Sequence, residues 1–310
     1  MLYPLKLKPV LKDYIWGGNK LKSAFNIETD NSIVAEAWAL STHKDGDSIV
    51  INGEFSGKAL SEALALWGLE PYCPVLIKFI DAKENLSVQV HPNDDYAMRV
   101  ENSKGKTEMW YVLECEEGAS LNYGFTKDIT KEELERRIKD NTLTDVLNNV
   151  AVKKGDIFFI ESGTIHSIGA GIIIAEIQQN SNITYRVYDY GRVGVDGKGR
   201  ELHIDKAIEV TKLEKFEANN KDSEIIQKSG YTEQLLSKCD YFDTRKIDIL
   251  TKAEFQAVDS FQSLLILEGE GAVEYSGQSI EFKKGDSFYI PMGMGTYSVV
   301  GEAQIILTTL

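Results

Sequence analysis

Four histidines occur among the 310 residues, at positions 43, 91, 166 and 203, and two of them stand in contexts suited to metal chemistry. His91 ends the run Leu86-Ser87-Val88-Gln89-Val90-His91 and is followed by Pro92. Alternation along a strand puts Ser87, Gln89 and His91 on one face, the arrangement by which side chains converge on an ion inside a barrel. Glu108 precedes the apolar strand 109–113, and His166 closes the turn Gly163-Thr164-Ile165-His166. Two imidazoles, a carboxylate and a side-chain amide suit a borderline divalent ion such as zinc, with one position left for water or substrate. His43 and His203 have no such neighbours and read as structural. Lys78 stands within the apolar run 75–80, where alternation leaves it either facing solvent on an edge strand or pointing into a barrel. Glu176 lies in the apolar run 171–177, where burial near a metal would tune its proton affinity and make it a candidate acid or base.

The elements that must position these groups are mostly strands. Runs such as Val75-Leu76-Ile77-Lys78-Phe79-Ile80 and Ile157-Phe158-Phe159-Ile160 are short, rich in β-branched and aromatic residues, and bounded by turn formers. Helices are fewer and peripheral. Leu60, Ala63, Leu64 and Trp67 recur at helical spacing before Gly68, and a further helix is expected near Asp205 to Lys212. Thr130-Lys131-Glu132-Glu133 has the form of a capping box ahead of Leu134 and Ile138. The polar stretch Ala218-Asn219-Asn220-Lys221-Asp222-Ser223 is the expected linker.

An internal repeat organises the chain. Lys153-Lys154-Gly155-Asp156-Ile157-Phe158-Phe159-Ile160-Glu161-Ser162-Gly163 returns 130 positions later, from 153 to 283, as Lys283-Lys284-Gly285-Asp286-Ser287-Phe288-Tyr289-Ile290-Pro291-Met292-Gly293. Upstream, Tyr111-Val112-Leu113-Glu114 matches Leu265-Ile266-Leu267-Glu268 at an offset of 154, from 111 to 265. The difference marks a helical insertion in the first copy, near 130–149. Gly-Asp between two apolar strands, followed by Gly and then His, resembles the turn by which cupin barrels present a late metal ligand. The chain therefore resembles a double cupin: an all-β fold of two jelly-roll barrels with a few peripheral helices. The expected division is a catalytic barrel over 1–217 and a second barrel over 218–310. At the two offsets His166 becomes Thr296 and Glu108 becomes Gln262, so the second barrel is expected to be free of metal.

The resemblance becomes specific in four segments: Ile15-Trp16-Gly17-Gly18, Ala35-Glu36-Ala37-Trp38, Ser87-Val88-Gln89-Val90-His91-Pro92 and Tyr185-Arg186-Val187-Tyr188-Asp189-Tyr190-Gly191-Arg192. They resemble successive signatures of class I mannose-6-phosphate isomerases, in the short bacterial form that lacks a large helical domain. That resemblance implies one zinc per chain held by Gln89, His91, Glu108 and His166. It also implies Arg186, Lys78 and Glu176 as catalytic groups, and Ser87 and Arg192 as contacts to a substrate phosphate. The implied reaction interconverts mannose 6-phosphate and fructose 6-phosphate by zinc-assisted proton transfer through an enediol. One departure is visible, since Trp38-Ala39 stands where many members have Trp-Glu. The competing readings are another metal-dependent cupin enzyme of dioxygenase type and a non-catalytic sugar-binding cupin.

Bulk properties bound these expectations. A net charge of -14 argues against a nucleic-acid surface, which needs clustered cations, while leaving room for a sugar phosphate held by two or three local ones. Cys73, Cys115 and Cys239 are few, odd in number and far apart, as in reduced cytosolic proteins. With no signal-like or membrane-spanning run, a soluble cytoplasmic protein is expected, as monomer or homodimer.

Overall fold

Segments rich in Val, Ile, Phe and Tyr form strands here because branched and aromatic side chains pack well on a pleated, half-buried surface. The structure, a computed structural model, describes residues 1–25, 27–194, 197–217 and 223–310. Its strands pair antiparallel, as expected for an all-β cupin-type fold. Two sheets face each other in the first part of the chain. The larger runs, in spatial order, Ile157–Ile160, Glu108–Cys115, Ile172–Gln179, Val75–Ala82, Glu36–Leu40 and Val10–Lys12. The smaller runs Leu147–Ala151, Ser120–Phe125, His166–Ser167, Val88–Val90 and Tyr185–Tyr188.

Register gives each face of the larger sheet its character. Lys78 is paired with Trp38 on one side and Glu176 on the other, and Glu176 is in turn paired with Trp110. With a period of two, this row lies on one face, turned towards the smaller sheet. The alternate residues Ala37, Ile77, Phe79, Tyr111, Ala175 and Ile177 enter an apolar core shared with Phe242, Leu265, Tyr289 and Ile306 from later in the chain. Ala39 also packs in this core, so the position that departs from the family pattern looks away from the polar row.

The strands from Ile225–Gln227 to Gly295–Thr309 form a second system around Ile247, Leu264, Ile266, Phe288, Tyr297 and Val299. The strand Leu5–Lys8 is woven into it, pairing with Ser287–Ile290 through Leu5 opposite Tyr289 and with Ile49–Val50 on its other side.

The sequence repeat is a repeat of hydrogen bonds. Asp156 accepts from the Lys153 amide through its side chain, and Asp286 does the same for Lys283, each at 2.8 Å. The Val112 amide donates to Asp156 O and the Ile266 amide to Asp286 O, each at 2.9 Å. Gly155 and Gly285 sit at φ +91° and +90°, a left-handed conformation open to glycine at little cost. Glu108 opposite Ile160 corresponds to Gln262 opposite Ile290, which carries the register of the ladder through both copies.

The expected helices are present and short: Leu60–Leu66, Lys131–Lys139 and Ile204–Val210. The Thr130 side chain caps its helix by accepting from the Glu133 amide, while the Glu133 carboxylate accepts from Lys127 and Arg137. Of the expected linker, 218–222 lies outside the described residues. Among the described residues, no helix is long and apolar enough to cross a membrane.

Candidate active site

His91, Glu108 and His166 come from both sheets and meet between them. Glu108 opens a strand of the larger sheet, His166 lies in the smaller one, and His91 directly follows the strand Val88–Val90. The turn before His166 is fixed by Gly163, at φ +87°, whose amide donates to His91 O at 2.8 Å. A side chain there would meet Val210 O at 2.9 Å, so glycine is required both by the conformation and by the space. Ligand atoms of the three residues lie within 4.8 Å of one another, and all three side chains are buried. Among the described residues this is the one cluster of three or more His, Cys, Asp or Glu side chains that could hold a metal ion.

The hydrogen bonds fix the tautomer of each ring. His91 Nδ1 donates to Ile183 O at 2.8 Å and His166 Nδ1 to Thr164 O at 2.9 Å. Each ring therefore carries its proton on Nδ1 and turns the Nε2 lone pair inward, the pairing by which proteins orient metal-ligating histidines. The two Nε2 atoms stand 3.7 and 3.4 Å from Glu108 Oε1, which receives no hydrogen bond. Burial, reinforced by the nearby Lys106 ammonium, holds His91 well below the usual imidazole range. Burial likewise takes His166 down to about 4, so both rings are neutral at neutral pH and competent as ligands. Glu108 is pushed up by burial and by the neighbouring Glu176 carboxylate. An unpaired, buried carboxylate oxygen beside two inward-facing imidazole lone pairs is a donor set that fits a divalent ion. Gln89 stands at the rim of the group, with Nε2 at 3.5 Å from His166 Nε2; turned end for end, its amide would present an oxygen instead.

A cavity of about 250 Å³ opens beside this group, lined by Lys78, Ser87, Gln89, Lys106, Glu176, Arg186 and Arg200 among others. Lys78 is buried there, 3.2 Å from Glu176 Oε1 and 3.6 Å from Glu36 Oε2. Burial works against its charge, but the two carboxylates outweigh it and raise the Lys78 pKa. Glu176 accepts from Trp110 Nε1 at 2.9 Å. Burial opposes its charge too, yet Lys106 and Lys78 prevail and bring it down to about 2. Arg186 Nε donates to Ser87 Oγ at 3.2 Å, which joins two of the sequence-predicted residues at the cavity wall.

Two residues that motif reading passed over enter the cavity. Lys106 Nζ lies 2.5 Å from Glu108 Oε2, 3.3 Å from His91 Nε2 and 3.7 Å from Glu176 Oε1. Its sequence signal was available, because a residue two positions before Glu108 shares its face. Arg200 also lines the cavity, held by a fork onto Asp189 with Nε to Oδ2 at 2.8 Å and Nη2 to Oδ1 at 2.5 Å. Nothing in periodicity marks it. Arg192, expected at the phosphate, turns instead to Asn85 O and Asp189 Oδ1, each at 2.5 Å, and does not line the cavity. Outside the cavity, His43 packs edge-on against Trp38, and His203 Nδ1 accepts from the Arg186 amide at 3.3 Å.

Comparison with known proteins matches two family models. Residues 4–118 match the phosphomannose isomerase type I catalytic domain, and residues 232–310 the mannose-6-phosphate isomerase cupin domain. A mannose-6-phosphate isomerase of Bacillus subtilis is 39% identical over 99% of both chains, and one of Streptococcus mutans is 35% identical over 99% of this chain and 98% of its own. The crystal structure of a Bacillus subtilis mannose 6-phosphate isomerase superposes with a TM-score of 0.93 at 35% identity, covering 99% of each chain.

Proposed function

The chain belongs to the type I mannose-6-phosphate isomerase family and is an aldose–ketose isomerase, and on that premise we propose that it interconverts mannose 6-phosphate and fructose 6-phosphate with one zinc ion per chain. The observation that supports this most is the convergence of His91, Glu108 and His166, with both Nε2 lone pairs and an unpaired carboxylate oxygen turned to one point. Those three residues would hold the ion, with Gln89 at its rim. The ion when bound supplies Lewis-acid polarisation of the sugar oxygens, worth on the order of several kcal/mol as the proton moves between C2 and C1 through an enediol.

The protein's own groups do the rest. Arg186 and Arg200, with the Ser87 hydroxyl, offer a donor cluster for the phosphate, which planar guanidinium groups bind through paired hydrogen bonds. Lys78 Nζ, kept protonated between two carboxylates, is placed to donate to the sugar oxygen on which negative charge develops. Glu176, with its pKa depressed, is a weak base, so its contribution is to anchor Lys78 and Lys106. We place this chemistry in residues 1–217 and read 218–310 as a barrel without an ion. Supporting that division, Tyr297 OH donates to Gln262 Oε1 at 2.7 Å, at the repeat position of Glu108. A phosphorylated substrate does not cross membranes unaided, which puts the enzyme in the cytoplasm.

Metal analysis and a coupled assay with mannose 6-phosphate test the assignment together. Purified protein should contain about one zinc per chain, and His166→Ala should lose both the metal and turnover. Full metal content and full turnover in that variant would overturn the ligand set.

A further inference from the structure

The Glu-x-Trp segment has no place yet in the chemistry, although it lies on the face of the larger sheet that bears Lys78 and Glu176. Glu36 and Trp38 are two positions apart on the strand Glu36–Leu40 and so share a face. Both are buried. Trp38 Nε1 donates to Glu36 Oε2 at 2.6 Å, which fixes the carboxylate to its own strand. Across the ladder Trp38 is paired with Lys78, whose Nζ lies 5.2 Å from the centre of the indole ring and 3.6 Å from Glu36 Oε2. On its other side Lys78 meets Glu176 Oε1 at 3.2 Å. The ammonium is thus suspended between two carboxylates on flanking strands and over an aromatic face, contacts that favour the charged form and a single position.

We propose that Glu36 is a positioning residue: tethered by the Trp38 indole, it balances the pull of Glu176 and holds the Lys78 ammonium at the cavity wall where the reacting sugar oxygens lie. This rests on Lys78 acting on substrate as described above. With Glu36 neutral, one carboxylate would remain beside Lys78, and the side chain would be drawn towards Glu176, away from the strand of Glu36. Indole and carboxylate must come from the same strand face, which gives the Glu-x-Trp spacing a physical reason. The neighbouring alanine, on the other side of that sheet, is irrelevant to it.

The test is a double-mutant cycle on the zinc-loaded enzyme, with Glu36→Gln, Lys78→Met and the pair, reading kcat, KM and metal content. Glu36→Gln should lower kcat by on the order of tenfold to a hundredfold, less than the loss from removing a group that contacts the transition state directly. KM and zinc content should stay near wild type, and Glu36→Asp should restore part of the loss by returning the charge. In the Lys78→Met background the same change should add little further loss. Independent, multiplying losses would overturn the proposal by showing that Glu36 acts on its own, as would a rise confined to KM or full kcat in Glu36→Gln. A Lys78→Met enzyme with normal turnover would instead refute the role given to Lys78, so the two failures are told apart.

Discussion

Trp110→Phe removes one hydrogen bond from the Glu176 carboxylate and leaves an aromatic ring in place. Trp110 Nε1 donates to Glu176 Oε2 at 2.9 Å, and both residues are buried. A hydrogen bond to a charged group contributes about 1.5–3 kcal/mol, so the variant should lose about 2 kcal/mol of unfolding free energy at neutral pH from this contact. The smaller ring adds a cavity cost of about 1 kcal/mol that does not depend on pH. The sign follows from linkage. Glu176 in the folded protein is depressed to about 2 from an ordinary value of 4.5, so its ionisation stabilises the fold fully above about pH 4.5. That stabilisation is lost as pH falls towards 2. The lost hydrogen bond is equivalent to roughly 1.5 pKa units, since one unit is about 1.4 kcal/mol. The stability gap between wild type and variant should therefore be full at pH 6–7 and shrink as the acid approaches pH 2.5. Urea unfolding of chelator-treated protein at a series of pH values measures it. A gap that stays constant across that range would refute the idea that the indole stabilises the ionised carboxylate.

Arg200→Ala should raise KM for the sugar phosphate by on the order of tenfold to a hundredfold, the cost of about one charge-assisted hydrogen bond. Arg192→Ala, whose guanidinium does not line the cavity, should raise it far less; steady-state kinetics on the two variants gives the comparison. Lys106→Met removes the ammonium that stands beside Glu108 and His91. It should hold zinc at least as tightly as wild type, because a positive charge beside Glu108 and His91 is gone; chelator competition reads the affinity.

The convergence of His91, Glu108 and His166 was legible because each of them sits at a point where local rules apply. Alternation aligned Ser87, Gln89 and His91, and the Gly-Asp turn of the repeat located the strand leading to His166. Lys106 obeys the same alternation from Glu108, but a single lysine in the polar stretch before that strand belongs to no motif. Arg200 was not readable at all. Its fork onto Asp189 is a contact with no periodic signature. Arg192 shows the converse, since a motif names the residue but not the direction of its side chain. The capping box was half right for a similar reason: Glu133 had better partners in Lys127 and Arg137 than in the free amide it was expected to satisfy. The pairing of Leu5–Lys8 with Ser287–Ile290 lay beyond any local rule, because its partners are separated by nearly the whole chain.

That long-range pairing constrains the order in which the molecule can be assembled. The strand Leu5–Lys8 leaves the ribosome long before its partner Ser287–Ile290 has been made. At ribosomal speeds the wait is on the order of tens of seconds. Throughout it the first sheet system can form, but the seam between the two halves stays open and its apolar side chains, Leu5 and Tyr289 among them, lack their final neighbours. Closure is then a late, entropically expensive event, and the interval before it is when the nascent chain is most exposed to aggregation and to capture by chaperones.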